Sequence, residues 1–418
     1  MPITLLPLLA TVPLLFGAAA GFLSPGYRPR HLPKIAEVCA LLAMIAALVG
    51  LGGLVVFSPG LSPAIAFYSV GLSVRLDAVS SIMLLLVTFI GWVVVRYSGT
   101  YLDGEVRQGR FTGWLCLTLA SVLLLVTSGN LFQLTIAWIA TSIFLHRLLL
   151  FYPHRVAAQR AARKKFVTAR LGDAALVAAA GLLIAAFGTS DIGTILVAAR
   201  AGFGGGMAEG AAGFLALAAI LKSAQFPTHG WLTEVMETPT PVSALLHAGV
   251  INAGGFLLIR FADVILLAPG VLAALVMIGG FTALFGSLVM LTQPAVKTSL
   301  AWFTVAQMGF MIFECGLALF PLALLHIVAH SLYKVHSFLA SGGAVERVAA
   351  IRRPGLVAIP QAGAVGRAFL SALVIYVVVG LGFGLTHKSP QAIALGTILI
   401  FGVAYMLAQG FADAAPEH

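Results

Sequence analysis

The chain has 418 residues, of which 60% are hydrophobic and only 9% charged, with a net charge of +10. A water-soluble domain carries roughly 25% charged residues, so the composition excludes a soluble enzyme and indicates a multi-pass membrane protein. In such a chain a basic excess points to loops on the cytoplasmic side, and no nucleic-acid partner is expected.

At about 20 residues per crossing, the apolar runs predict an all-α bundle of about thirteen transmembrane helices. They lie near 3–23, 35–57, 77–97, 112–128, 131–151, 166–187, 208–226, 241–262, 270–292, 295–314, 319–341, 363–385 and 390–409. Residues 1–23 lack a basic leading segment and a small-residue cleavage site, so a retained span is expected rather than a signal peptide. The piece from Ala64 to Arg75 is too short to span, and Ser69, Gly71 and Ser73 predict a hairpin or surface segment. Residues 154–165, HRVAAQRAARKK, have the composition of a basic amphipathic helix lying on the membrane surface.

Most of the 24 lysines and arginines follow odd-numbered spans, among them Arg28, Arg107, Arg155, Arg347, Arg352 and Arg353. Positive residues stay inside, which predicts an N-terminus outside, a C-terminus in the cytoplasm and a bacterial inner-membrane location. Spans four to eight and nine to thirteen are two five-helix groups, an arrangement compatible with an inverted repeat. A first repeat region over 76–262 and a second half over 263–409 would make up one transmembrane domain.

The chemistry concentrates in KSAQFPTHGWLTEVMETPTPVSALLHAGVINAGG, residues 222–255. Lys222 closes an apolar run, and an ionisable residue at membrane depth is a functional candidate by default. The plain alternative is a lysine snorkelling to the interface, but Pro227 breaks the span five residues later. Pro239, Pro241 and Gly254-Gly255 add further breaks, and interrupted helices beside buried charge are what ion pathways use. Carboxylates available to Lys222 are Asp173 in the sixth span and Glu234 or Glu237 after the break. His326, His330 and Lys334 recur every four residues and so share one face of a helix. A lone histidine is more often a satisfied core residue, but three ionisable groups on one stripe make a proton relay, since histidine titrates near neutral pH. His247 extends the line from Lys222. Lys297 is balanced between a relay member and an interfacial anchor. The expected order is Asp173, Lys222, His247, Lys297, then His330 and Lys334.

Cys39, Cys116 and Cys315 each sit in an apolar run without paired spacing, so no cysteine metal or redox motif is present. Phosphate-binding glycine loops, haem or iron–sulfur ligand sets and nucleophile triads are also missing, so no cofactor and no bond-making chemistry are expected. Ion movement is.

The stretches KSAQFPTHGWLTEVMETPTPVSALLHAG, FVTARLGD and HIVAHSLYKVHSFLASG resemble the antiporter-like, proton-conducting membrane subunits of respiratory complex I and of multisubunit cation/proton antiporters. The resemblance covers roughly residues 77–345. It implies proton-transfer roles for Lys222, His247, His326, His330 and Lys334, and for Asp173 in the sixth helix. Two departures stand out. Ile139 occupies the place of the glutamate that pairs with the broken-helix lysine in that family. After residue 354 no intramembrane lysine follows, which predicts a degenerate second half-channel. With LHRLLLFYPHRVAAQRAARKKFVTARLGD, the chain looks most similar to the membrane subunit of the two-component dissolved-inorganic-carbon accumulation transporter. That likeness implies a zinc-binding partner similar to a β-carbonic anhydrase, and H+ or Na+ flow that drives CO2 hydration to bicarbonate. The alternatives are a subunit of a cation/proton antiporter or respiratory pump, or a scaffold whose buried charges are relics.

Overall fold

The computed structural model describes residues 6–56, 60–61, 65–67, 70–235, 238–341, 362–382 and 389–410. Arg347, Arg352, Arg353 and Glu237 lie outside the described residues. Each of the thirteen predicted spans meets a helix. Ten helices among the described residues are long and apolar enough to cross a membrane, so thirteen is an approximate count. In chain order the first are α1 (Leu6–Phe22), α2 (Leu32–Val56), α3 (Ala78–Tyr101), α4 (Gln108–Val126) and α5 (Leu131–Leu149). There follow α6 (Val156–Phe187), the short α7 (Ile192–Arg200), α8 (Gly205–Lys222) and α9 (Gly230–Thr233). Then come α10 (Thr240–Ala248), α11 (Ala253–Arg260), α12 (Ala262–Ile265), α13 (Pro269–Leu291), α14 (Val296–Gly316) and α15 (Phe320–Ser341).

Residues 1–342 form one compact unit and residues 343–418 a second. In the second, helices Ala362–Gly382 and Pro390–Gly410 pair through Ala372, Ile400 and Ala404, with Tyr376 against them. The expected hairpin is present: Ile65–Phe67 pairs antiparallel with Val70–Leu72.

Helix starts follow from capping side chains, which satisfy amides that a helix leaves bare. Asp77 Oδ1 accepts from Ser80 N at 2.8 Å, Asn130 Oδ1 from Gln133 N at 2.8 Å, and Asp191 Oδ1 from Thr194 N at 2.7 Å. Two features differ from expectation. The basic segment 154–165 is no separate surface helix: Val156–Phe187 runs unbroken, because Ala158, Ala161, Ala162 and Lys165 give its first turns a buried face. Ile192–Arg200 is an unpredicted helix, too short to read as a span.

The break in the eighth span is central. α10 stops at Ala248, a 3₁₀ turn covers Val250–Asn252, and α11 resumes at Ala253. Nearly all of Thr240–Arg260 is buried, which is the setting where irregular backbone at membrane depth is tolerated. Gly254 makes the fit possible. A Cβ there would meet the Ala219 carbonyl oxygen at 2.6 Å, so only glycine lets α11 touch the turn of α8 that carries Lys222. Gly279 of α13 and Gly309 of α14 do the same for their helix pair: a Cβ on either would meet the other's carbonyl oxygen at 2.7 to 2.8 Å.

Candidate functional site

Two buried groups of charged side chains flank this break. The first lies between α5, α6 and α8. Lys222 is the last residue of α8, only 9% exposed. Its Nζ donates to Ser142 Oγ at 3.0 Å and stands 4.5 Å from the centre of the Trp138 ring. Trp138 and Ser142 are one turn apart on α5, so one helix face offers both a hydroxyl and an aromatic surface to the ammonium. Lys165 of α6 reaches the same residue: its Nζ donates to the Ser142 carbonyl oxygen at 2.8 Å, and it is 5% exposed. Asp173, two helical turns along α6, is buried with Arg170 Nη2 at 2.6 Å from its Oδ2. Its carboxylate also lies within electrostatic reach of both lysines. A cavity of about 20 Å³ opens beside Trp138, Lys165, Thr168 and Lys222, room for roughly one water molecule.

The second group lies between α10, α14 and α15. His247, at the end of α10, is fully buried and stacks on Phe338 with ring centres 4.4 Å apart. Its Nδ1 is 3.0 Å from Thr304 Oγ1, and its backbone oxygen is 3.3 Å from His330 Nε2. Lys334 has no exposed surface, donates to the Leu300 carbonyl oxygen at 2.7 Å, and sits 4.1 Å over the Phe303 ring. One turn back from His330, the His326 ring centre lies 6.1 Å away. His326 Nδ1 in turn stands 2.9 Å from Glu314 Oε2. The spacing of four therefore does gather His326, His330 and Lys334 on one face of α15.

Short polar steps cross the break between the two groups. Ser223, next to Lys222, points its Oγ at the Ile251 carbonyl oxygen at 3.5 Å. Asn252 Nδ2 donates to Ser331 Oγ at 2.8 Å, beside His330. His247 Nε2, His326 Nε2, Asn252 Oδ1 and Gln225 Oε1 are buried without a protein partner among the described residues. Buried polar atoms of this kind are where internal water binds.

Other sequence-derived candidates sit elsewhere. Glu234 pairs with Lys164 at the rim and not with Lys222. Lys297 is half-buried and donates to Thr240 Oγ1 at 3.3 Å, at the start of α10 and away from His247 at its other end. Four participants were not singled out from the sequence. Glu314 had a usable signal, a lone carboxylate in an apolar span. Lys165 was hidden in the basic run it ends, and Ser142 and Thr304 are hydroxyls with no signal of their own.

The description "NADH:quinone oxidoreductase/Mrp antiporter, TM" matches residues 128–354, more than half of the chain. A second, "NADH-Ubiquinone oxidoreductase (complex I), chain 5 N-terminus", matches 64–112. The probable inorganic carbon transporter subunit DabB of Hydrogenovibrio crunogenus is 47% identical over 65% of this chain and 53% of its own length. DabB2 of Halothiobacillus neapolitanus, also a probable inorganic carbon transporter subunit, is 45% identical over 74% of this chain and 56% of its own. The chain thus spans little more than half the length of these relatives. Among solved structures, the Mrp complex from Dietzia sp. DQ12-45-1b has a chain with TM-score 0.75 and 26% identity, covering 99% of this chain and 47% of that one. The protein belongs to the NADH:quinone oxidoreductase/Mrp antiporter transmembrane family.

Proposed function

We propose that this chain is the cation-conducting membrane subunit of an inorganic carbon uptake system, passing protons (or Na+) down their gradient to power a partner protein. The observation that carries it is the buried titratable line Lys222, His247, His330, His326 around a broken helix, in a chain 47% identical to a probable inorganic carbon transporter subunit. A proton on Lys222 has a hydroxyl and an aromatic face to rest on, Asp173 and Arg170 at hand to bias its retention, and a water-sized cavity through which to leave. Across the break, His330 Nε2 lies 3.3 Å from the His247 backbone oxygen, and a proton passes between the two imidazoles through bound water. Lys297 serves in this scheme as an entry group at the start of α10. The partner is a zinc-binding, β-carbonic-anhydrase-like subunit that turns CO2 into bicarbonate. The setting is the bacterial inner membrane, with the N-terminus outside and the C-terminus in the cytoplasm.

Replacing Lys222 tests this. Lys222→Ala in the full-length protein is expected to abolish bicarbonate accumulation while leaving assembly with the partner intact. Uptake at the parental rate overturns the proposal.

A second reading, a subunit of a cation/proton antiporter or a respiratory pump, is favoured by the family description and by the Mrp-type fold. The protein that co-purifies from membranes discriminates the two. Zinc in that protein supports carbon uptake, whereas flavin and iron–sulfur clusters, or further antiporter subunits, support the second reading.

A further inference from the structure

The surroundings of Lys222 hold more positive than negative charge. Lys165 and Lys222 both end on Ser142, one on its carbonyl oxygen and one on its hydroxyl. Both are buried, and among the described residues both hydrogen-bond only neutral oxygen. Facing them from α6 are Arg170 and Asp173, already in contact with each other at 2.6 Å. From α5 comes His146, within electrostatic reach of Lys165. The Lys164–Glu234 pair stays at the rim, half-exposed. One carboxylate engaged by an arginine therefore faces two lysines, and from α5 Ser142 offers them only neutral oxygen. Two buried ammonium ions sharing one neutral residue repel strongly in a medium of low polarity. A single excess proton on the pair removes that repulsion and keeps every hydrogen bond to Ser142.

We propose that Lys165 is a second proton-bearing residue of this centre, sharing one excess proton with Lys222 across Ser142 and the adjoining cavity. The transfer is balanced. The Lys222 ammonium gives a proton to water in the cavity, that water gives one to the neutral Lys165 amine, and total charge is unchanged. A lysine–lysine pair thereby does the switching that a lysine–carboxylate pair would do if Ile139 were acidic. Nearby charge on Asp173 and Arg170 decides which lysine holds the proton. This inference rests on the proton-passing role proposed above.

The test uses full-length protein in inverted membrane vesicles, with proton flux read by a pH-sensitive dye under an imposed pH gradient. Lys165→Arg keeps the length, the positive charge and a donor for the Ser142 carbonyl, but arginine does not release its proton. Flux is expected to fall at least tenfold in Lys165→Arg, while Lys165→Gln retains partial flux with a shifted pH profile. Assembly and melting temperature, measured alongside, show that both variants fold. Wild-type flux and an unchanged pH profile in Lys165→Arg would show a purely structural lysine and overturn the inference. If Lys222→Ala still conducts, the proton-passing role itself fails. If Lys222→Ala is silent and Lys165→Arg is normal, only the shared proton fails. Should Lys165→Arg not assemble, Lys165→His decides: it restores a releasable proton, and flux no better than in Lys165→Gln overturns the inference.

Discussion

Each buried charge here is held by a partner whose chemistry fits its task. Lys334 rests on a carbonyl and an aromatic face, neither of which competes for its proton. Glu314 differs, because it is a buried carboxylate whose contact is a histidine 2.9 Å away. Such a pair exchanges a proton over one hydrogen bond, so Glu314 is placed to terminate the line that His247 and His330 begin. Glu314→Gln keeps the shape and an acceptor while removing the charge. It is expected to lower proton flux by roughly two orders of magnitude, the bottom of the range for losing a proton-transfer group, with little change in folding. Dye-monitored flux in vesicles checks this, and unchanged flux would place Glu314 outside the path.

Among the elements, the broken span is fixed at both ends by side-chain contacts. At its start Thr240 meets Lys297. At its end Arg260, 4% exposed, donates from Nη1 to Asp77 Oδ2 at 2.5 Å and from Nη2 to Ser80 Oγ at 2.6 Å. Asp77 thus caps α3 and anchors α11 at once. Burial raises the proton affinity of its carboxyl, but the Arg260 charge and hydrogen bonds outweigh burial and hold it below the ordinary carboxylate range. Because the folded state binds this proton less readily than the unfolded chain, the contribution to stability is full above about pH 4, the unperturbed value. It is lost as the pH falls further. Arg260→Ala removes the buried partner of a carboxylate that keeps only the more exposed Arg75, 2.6 Å from its Oδ2, and is expected to cost about 1–3 kcal/mol. Melting curves in detergent between neutral and acid pH should show the wild type losing stability below about pH 4 and the variant already low at neutral pH.

Over the whole molecule, the loops sort themselves to two ends. The loop before α3, the α4–α5 turn and the α6–α7 turn are hydrogen-bonded together: Gly129 N to Ser73 O at 2.9 Å, Leu131 N to Ser190 O at 2.9 Å. Arg200 and Asp263 join the later loops at 2.9 Å. These all follow even-numbered spans. Loops after odd-numbered spans meet one another instead, through Arg28 with Asp103 at 3.2 Å and Tyr152 with Glu105 at 3.3 Å. The second set carries most of the arginines, so it is expected in the cytoplasm. Cys39, Cys116 and Cys315 are buried and leave a low background for labelling. A membrane-impermeant thiol reagent is expected to modify Asp103→Cys only from the cytoplasmic side and Phe203→Cys only from outside. The reverse pattern would invert the topology.

Apolar run length, capping residues and breakers are local properties, and they determined from sequence alone the spans, the hairpin, the break after Lys222 and the histidine stripe. A spacing of four puts side chains on one face wherever the helix goes, which is why His326, His330 and Lys334 were legible. Partner choice is a long-range property. Only the packed bundle decided that Ser142, not Glu234, receives Lys222, that Lys165 turns inward from a run of otherwise solvated bases, and that Glu314 faces His326. A residue's charge is written in the chain, but whether it is neutralised depends on which helix packs against it, and glycines such as Gly254 set that distance through contacts between segments far apart in sequence.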